Sequence, residues 1–217
     1  VAATAAGGSG FLWFTNAAAP QVFTVANGAT ICGLKIETGA QTVDAGATDF
    51  TIRQFSLVSG TFKSTSGNLS VGNPNSGINW TKTGGTFTHN GGTVTFIGDN
   101  ATYNDSGSTT FNKFTMNIAN GGLRTLFLNT GIPLVTGTFT FTDGFINTGT
   151  FELKGAVTLA AGADGGSGFL WFTNTVAPQT FTVAAGAIIC GLKIETGAQT
   201  VDAGTTDFSI LNFSLVS

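Results

Sequence analysis

Side chains that could carry out catalysis are few and scattered in this sequence. The single histidine, His89, lies in a Thr-His-Asn-Gly-Gly turn with no serine or cysteine nucleophile beside it, and one histidine cannot build a zinc site of histidine ligands. Asp44 and Asp49 recur as Asp202 and Asp207. About 17 Å of extended chain separates the two members of each pair, more than the ~5 to 9.5 Å of a glycosidase pair. We therefore expect no enzyme, and an enzyme acting on polysaccharide is a minor alternative.

A second polar cluster could bind calcium. Asp99, Asn100, Asn104 and Asp105 bring four oxygen-bearing side chains into one predicted loop. The segment lacks the spacing of an EF-hand and the nonapeptide signature of calcium-binding repeats. We expect a solvated turn and no cofactor or metal, with calcium as the lesser alternative.

The segment Phe11-Leu12-Trp13-Phe14 is apolar on both faces of a predicted strand. Its alignment with the alternating segment 93–96 points Leu12 and Phe14 inward and the other two rings outward. Three explanations stay open for such an outward pair: cover by the loop 16–21, a lateral contact in a fibre, or stacking on a sugar ring. The candidate contact residues in the two copies of the segment are Phe11, Trp13, Phe169 and Trp171.

Cys32 and Cys190 occupy the same position in two copies of a repeat, so they should lie a full repeat apart and not bond to each other. We expect a small buried apolar side chain at each position, with an interchain disulfide as the alternative.

Threonines at 138, 140 and 142, or at 93 and 95, resemble the flat threonine faces of ice-binding solenoids. Because this array changes from coil to coil in the sequence, hydrated outer strand faces are favoured.

The repeat itself dominates the chain. Residues 7–59 recur at 165–217 with 44 of 53 residues identical, a period of 158 residues. We interpret 1–158 as one full repeat, with half-repeats of about 79 residues at about 10–91 and 92–167, and 159–217 as the start of the next, joined without a linker. We predict that the nine positions at which the copies differ are peripheral: 17/175, 18/176, 22/180, 27/185, 30/188, 47/205, 51/209, 53/211 and 54/212.

Short alternating segments such as Phe23-Thr24-Val25 and Leu34-Lys35-Ile36 are separated by glycine, asparagine and aspartate turns, and no segment has helical spacing. The chain is therefore predicted to be all-β. A β-solenoid with coils of roughly 20 to 26 residues is favoured. Tandem antiparallel β-sandwich modules, immunoglobulin-like, are the alternative, supported by the hairpin signals Asn90-Gly91 and Asp143-Gly144.

Composition excludes several classes of partner. The chain has 217 residues, 41% of them hydrophobic and only 9% charged, with a formal net charge of −3. It has no basic stripe for nucleic acid, and no apolar run of the roughly 18 residues that a membrane helix needs. Low charge and a surface of threonine, serine and asparagine are typical of extracellular or fibrous β proteins.

Three segments, GTFTHNGGTVTFIGDN, STTFNKFTMNI and VTGTFTFTDGFINTGTFELKGAVTLAAG, resemble the repeats of long bacterial surface and secreted proteins, including filamentous-haemagglutinin-like adhesins and autotransporter passengers. The resemblance implies a right-handed parallel β-helix at a prokaryotic cell surface or outside the cell. The expected function is that of a structural segment in a fibre, sheath or adhesin stalk, associating with itself head to tail or laterally. A glycan-binding adhesin surface is the alternative.

Overall fold

The structure is a computed structural model that describes residues 8, 10–73, 77–119, 124–197 and 199–216. In that part of the chain it consists of 23 strands and contains no helix. The strands are β1 (Phe11–Phe14), β2 (Gln21–Val22), β3 (Ala29–Ile31), β4 (Gly33–Asp44), β5 (Phe50–Ile52), β6 (Gln54–Lys63), β7 (Asn68–Asn73), β8 (Ile78–Lys82), β9 (Thr86–Thr88), β10 (Thr93–Gly98), β11 (Ala101–Asp105), β12 (Thr110–Phe111), β13 (Lys113–Asn117), β14 (Thr125–Thr130), β15 (Leu134–Val135), β16 (Phe139–Thr148), β17 (Thr150–Leu153), β18 (Val157–Ala163), β19 (Phe169–Phe172), β20 (Gln179–Val183), β21 (Ile188–Ile194), β22 (Val201–Asp202) and β23 (Ser209–Leu215).

The strands of the described chain pair in parallel, each with the strand one coil away. Partner residues are 18 apart at Phe139 and Val157 and 25 apart at Phe114 and Phe139. Parallel strands need a connection long enough to return the chain to the same end of the sheet, and each coil supplies one. The result is a β-solenoid of about nine coils, which confirms the predicted solenoid. The alternative of antiparallel sandwich modules is wrong.

The two hairpin signals mark corners of the coil. Asn90 and Gly91 have positive φ angles of 51° and 77°, as a tight turn requires. The turn links β9 to β10, but β10 pairs with β7 and β13. Gly144, with φ of 107°, lies inside β16, where the strand bends from pairing with β13 to pairing with β14. The local turn chemistry is therefore present, and the pairing partners lie a coil away.

The strands stack on three faces. Face one contains β1, β8, β11, β14, the beginnings of β4 and β6, and the end of β16. Face two contains β3, β5, β7, β10, β13, the beginning of β16, β18 and β20. Face three contains the ends of β4 and β6, then β9, β12, β15, β17, β19, β21 and β23. β2 pairs with the end of β4, and β22 with the beginning of β20.

Inward side chains form apolar columns along the solenoid axis, because alternation along a strand sends every second residue inward. On face two, the Phe114 and Phe139 rings stack at 6.1 Å between centroids and 5° between planes. On face one, the Trp80 ring lies 4.2 Å from that of Phe55. All four are at most 1% exposed, and burying such a side chain contributes about 1.5 to 3 kcal/mol. These columns join the coils into one core.

The two copies of the repeat lie on different faces. Phe14 is paired with Ile36 on face one, whereas its counterpart Phe172 is paired with Leu153 and Ile194 on face three. After β1 the chain returns to face one at β4, β6, β8, β11, β14, β16 and Gly165, seven times, before β19 enters face three. One 158-residue repeat therefore corresponds to seven coils and one further face. β18 passes through the boundary between copies as a continuous strand.

The positions at which the copies differ are peripheral, as predicted. Every one of the eighteen side chains is exposed or half-buried, and none is buried. The largest change in chemistry is from Arg53, a half-buried residue at the bend between β5 and β6, to Leu211, an exposed residue of β23. Sequence drift between the copies has therefore spared the apolar columns.

Candidate functional site

The outward aromatic pair has the predicted orientation. Phe11 is 45% exposed and Trp13 is 54% exposed, while Leu12 and Phe14 pack against the core. Phe11 pairs with Gly33 of the next coil and Trp13 with Lys35.

The next coil supplies the contacts that cover these two rings. A Cβ atom at Gly33 would lie 2.7 Å from the Phe11 ring, so the ring lies flat over a position that only glycine leaves open. The Lys35 ammonium lies 4.1 Å from the centre of the Trp13 ring and 2.9 Å from Glu37. A cation over an indole face is attracted by the quadrupole of the ring. Cover by the loop 16–21, one of the three explanations from the sequence, is not the arrangement observed.

The second copy shows the same pair with a coil on either side of it. Trp171 lies between Glu152 of the preceding coil and Lys193 of the following one, whose ammonium is 4.1 Å from the ring centre. The indole nitrogen donates a hydrogen bond to Glu195, and the hydrogen bond from Lys193 lowers the pKa of that carboxyl. Both aromatic side chains of this copy are half-buried. In this copy the outward pair therefore packs between two neighbouring coils, whereas the described partner of Phe11 and Trp13 is the following coil.

A glutamine in each copy was not recognised in the sequence as a site residue. Gln179 is 3% exposed. Its amide nitrogen donates to the carbonyl oxygens of Leu153 and Gly155, both at 3.0 Å, and its amide oxygen accepts from the backbone nitrogen of Asn174. In its counterpart Gln21, the amide oxygen is buried and has no hydrogen-bond partner among the described residues. The recurrence of Gln two residues before a Phe-Thr-Val strand was the available signal.

The most buried charged group is Asp105, whose side chain is fully buried. It accepts hydrogen bonds from Lys82, Tyr103, Thr109 and the backbone nitrogen of Gly107. Burial alone would raise the pKa of Asp105, but these hydrogen bonds together outweigh it and hold the pKa below its ordinary value. Lys82 and Asp105 are one coil apart in sequence, which is the spacing that could have revealed the pair.

The carboxylates considered for catalysis have structural partners. Asp44 forms an ion pair with Lys63 at 2.8 Å, which lowers its pKa. Asp49 accepts a hydrogen bond from the backbone nitrogen of Asn68 in the next coil. His89 accepts one from the backbone of Gly91, within its own turn. These contacts give each group a structural role, because each one holds its own turn or a neighbouring coil in place.

The oxygen cluster considered for calcium is divided by the fold. Asp105 is directed into the buried network with Lys82, and Asn104 accepts a hydrogen bond from Asn129 of the next coil. Within the described residues, no group of three or more histidine, cysteine, aspartate or glutamate side chains is placed to hold a metal ion.

The two cysteines are free thiols in different surroundings. Cys32 lies at the bend between β3 and β4 and is half-buried, whereas Cys190 lies inside the continuous strand β21 and is fully buried. Burial raises the pKa of the Cys190 thiol to about 12.

One outward column of hydroxyl side chains runs the length of face two. Cross-strand register links eight strands through Thr30, Thr51, Ser70, Thr95, Thr115, Thr140, Thr158 and Thr182. The expectation that the threonines change from coil to coil is wrong for this column, because unequal coil lengths hide the register in the sequence. The column is one residue wide, and Asn68 and Lys113 lie in the column beside it.

The described part of the chain contains no helix long and apolar enough to cross a membrane. Comparison of the chain with protein-family models, with curated proteins and with solved structures found no match.

Proposed function

We propose that this protein is a structural segment of an extracellular or cell-surface fibre, sheath or adhesin stalk. The observation that carries the proposal is the boundary between the two copies, where β18 runs through and β17 pairs with β19 in the same parallel geometry as every other coil. A chain built this way lengthens by repeating its sequence, without a change of architecture.

The placement of polar groups supports a structural role. Asp44, Asp49 and Asp105 each hold neighbouring turns or coils through hydrogen bonds. The outer surface consists mainly of threonine, serine and asparagine on strands, which favours a hydrated, weakly charged rod. The composition and the resemblance to bacterial surface repeats support a prokaryotic, extracellular setting.

Rod length tests this proposal. Neighbouring strands lie about 4.8 Å apart, so seven coils and one further face advance the rod by about 35 Å per 158-residue repeat. Small-angle scattering or electron microscopy of chains with one, two and three repeats should give a constant cross-section and a length that grows by that step. A string of separate beads, or a globule that grows in all dimensions, would contradict it.

Glycan binding at the outward aromatic pair is the outcome that would change the proposal. The Lys35 ammonium already occupies one face of the Trp13 ring, which leaves less aromatic surface for a sugar. A glycan array probed with the wild type and with Trp13→Ala/Trp171→Ala separates the two: we expect no specific glycan, and a signal abolished by the double substitution would establish recognition.

The hydroxyl column favours one second candidate function, the binding of ice. A straight row of threonines at the spacing of parallel strands offers regularly placed hydroxyl and methyl groups to ordered water. Thermal hysteresis of the wild type, compared with Thr95→Lys/Thr115→Lys, tests it: activity in the wild type that the variant lacks would support ice binding, and equal freezing behaviour would exclude it.

A further inference from the structure

We propose that a small pocket at the edge of face two binds an oxyanion, that is, a carboxylate, sulfate or phosphate group. The site goes beyond the structural function proposed above, because it gives the outer surface of the rod a contact for a partner of defined charge. The pocket has a volume of about 150 Å³, and we call it the Arg53 pocket. It is lined by Thr30, Thr51, Arg53, Gly72, Asn73 and Ile97.

The Arg53 pocket lies within the stack of coils. Thr51 pairs with Thr30 of the preceding coil and with Ser70 of the following one, so its outward column continues on both sides. Arg53 follows β5 directly, at the bend before β6. The walls of the pocket come from four consecutive coils, which contain β3, β5, β7 and β10 on this face.

Three hydrogen-bonding side chains of the pocket have no partner in the part of the chain that the structure describes. Nε of Arg53 is buried and makes no hydrogen bond, and neither do the hydroxyls of Thr30 and Thr51. In contrast, Arg124 forms ion pairs with carboxylates of two coils, at 3.0 and 3.1 Å. A buried donor without a partner is costly. The three side chains therefore favour a ligand that accepts hydrogen bonds.

The chemistry of these groups selects an anion with two or more oxygens. A guanidinium presents a planar fork of N–H donors that matches a carboxylate, sulfate or phosphate. The two threonine positions lie one coil apart, about 4.8 Å, and each hydroxyl has one proton to donate. None of the six lining residues is acidic. The volume corresponds to about five water molecules at ~30 Å³ each, which suits one oxyanionic group.

The second copy of the repeat supplies an independent observation. Three of the nine positions at which the copies differ line this pocket, and the second copy lacks the guanidinium and one of the two hydroxyls. A Cβ atom at Gly165 would lie 2.9 Å from Ile188 and 3.3 Å from Leu211, so the two apolar replacements lie together. Joint change is expected of residues that serve one site. The corresponding pairs are Thr30 and Ile188, Thr51 and Ser209, and Arg53 and Leu211.

Arginine side-chain NMR tests the proposal directly, because Arg53 and Arg124 are the two arginines of the chain. Inorganic sulfate, inorganic phosphate and acetate are titrated separately into isotope-labelled protein, with sodium chloride at matched ionic strength as the reference. We expect the Nε–H signal of Arg53 to shift and saturate with an oxyanion. The signal of Arg124 should stay in place, because its carboxylate partners already occupy the guanidinium. An Arg53 signal that moves no further than in sodium chloride would contradict the proposal.

Variants of the pocket test which groups hold the ion. Thr30→Ile/Thr51→Ser/Arg53→Leu introduces the residues of the second copy and should fold, because β21 and β23 contain them. This triple variant should lose saturable binding, read on the backbone amide of Asn73. Arg53→Lys keeps the charge but not the planar fork. It should bind at least about tenfold more weakly, as expected for the loss of one hydrogen bond to a charged group.

A matched pair of substitutions tests the hydroxyls. Thr51→Val should weaken oxyanion binding, whereas Thr158→Val, at an outward position farther along the same column, should leave it unchanged. Equal binding by the wild type and Thr51→Val would remove the hydroxyl from the site. Circular dichroism checks that each variant is folded.

The source of the oxyanion is either a free ion or an acidic group on a polymer. Titration with dextran sulfate and with polygalacturonate, with neutral dextran as the control, separates the two sources. Tighter binding per acidic group than to the matching free ion indicates a polymer, and equal binding indicates a free ion. Small-angle scattering should give the same rod for the wild type and the triple variant, so the structural function is tested separately. Oxyanion binding that the triple variant retains in full would overturn the proposal.

Discussion

Asp105 shows how a single residue fastens neighbouring coils. Its buried carboxylate joins β11 to Lys82 of the preceding coil, and its backbone nitrogen donates to Thr130 of the following one. Burying an ion pair is costly in itself, but removing one partner leaves the other charge uncompensated. Loss of either charge of the Lys82 and Asp105 pair would therefore weaken the contact between their two coils.

We predict that Asp105→Asn lowers the free energy of unfolding by about 3 to 5 kcal/mol near neutral pH. Because the folded pKa of Asp105 is below its ordinary value of 3.8, its stabilisation is present above that value and is lost as the pH falls through the folded pKa. Urea unfolding across the acid range should therefore show a shallower pH dependence in the variant. Asp44→Asn is the control: its ion pair is partly exposed, so a loss of less than about 1 kcal/mol is expected. Equal losses in both variants would contradict the assigned roles.

The two cysteines should differ sharply in reactivity. The thiolate is the reactive form of cysteine, and Cys190 is buried with its pKa raised to about 12, while Cys32 is half-buried. Iodoacetamide at neutral pH should label Cys32 and leave Cys190 unmodified until the chain is unfolded, as read by peptide mass spectrometry. Rapid labelling of Cys190 in the native protein would show that β21 is open to solvent.

At the scale of the strand, the backbones of neighbouring coils come into close contact at the corners. A Cβ atom at Gly155 would lie 1.6 Å from the carbonyl oxygen of Gly137, and no shift of a flexible side chain can relieve such a clash with backbone. Alanine at this position must therefore push two coils apart.

The expected result is that Gly155→Ala destabilises the solenoid more than an ordinary core substitution, whose cost rarely exceeds about 4 to 5 kcal/mol. Thermal unfolding followed by circular dichroism measures the loss. Gly10→Ala is the matched control, because nothing lies within 4 Å of its added Cβ atom. A small effect of Gly155→Ala would mean that the corner is wider than the structure shows.

The junction between copies gives a second test at the element scale. Gln179→Ala removes the donor to two carbonyl oxygens and should cost about 1 to 3 kcal/mol. Gln21→Ala, the same change in the first coil, should leave the stability of the monomer unchanged because Gln21 makes no such contact there. Urea denaturation of the two variants at low protein concentration compares them directly. Equal destabilisation would show that the glutamine acts within its own coil.

For the molecule as a whole, the lengths of the coils determine on which face of a fibre the equivalent side chains of each repeat lie. Because one repeat equals seven coils and one further face, equivalent residues of consecutive repeats point in three directions and return to the first face after three repeats, about 105 Å along the axis. A three-repeat chain that carries a biotin at each position equivalent to Val176 should bind streptavidin on three different sides in electron micrographs. Labels along a single line would show that the repeat closes on a whole number of coils.

Several parts of the fold followed from the sequence. Alternation predicted strands and an all-β chain, and the 158-residue identity predicted coils that continue without a linker. Inward Leu12 and Phe14 and outward Phe11 and Trp13 followed from the alternation of strand side chains. The nine variable positions were correctly placed at the periphery, because substitutions in a packed apolar column would leave cavities or clashes.

Other parts depended on pairing between residues one coil apart, which a sequence does not display when coils vary from 18 to 25 residues. The unbroken hydroxyl column, the Lys82 and Asp105 pair and the cover of Trp13 by Lys35 all arise from that register. Asn90-Gly91 forms the tight turn that its sequence predicts, yet it joins strands of different faces, because turn chemistry sets a local angle and says nothing of distant partners.

By itself the sequence determined the period, the strands and the direction of each side chain, since these depend on local backbone geometry and on the alternation of polar and apolar residues. Only the tertiary structure decided which strands are neighbours, that identical copies occupy different faces, and that the outward aromatic pair lies between coils. Those features depend on the summed lengths of all intervening turns. That sum determines which strands lie next to each other, with their inward apolar side chains in register.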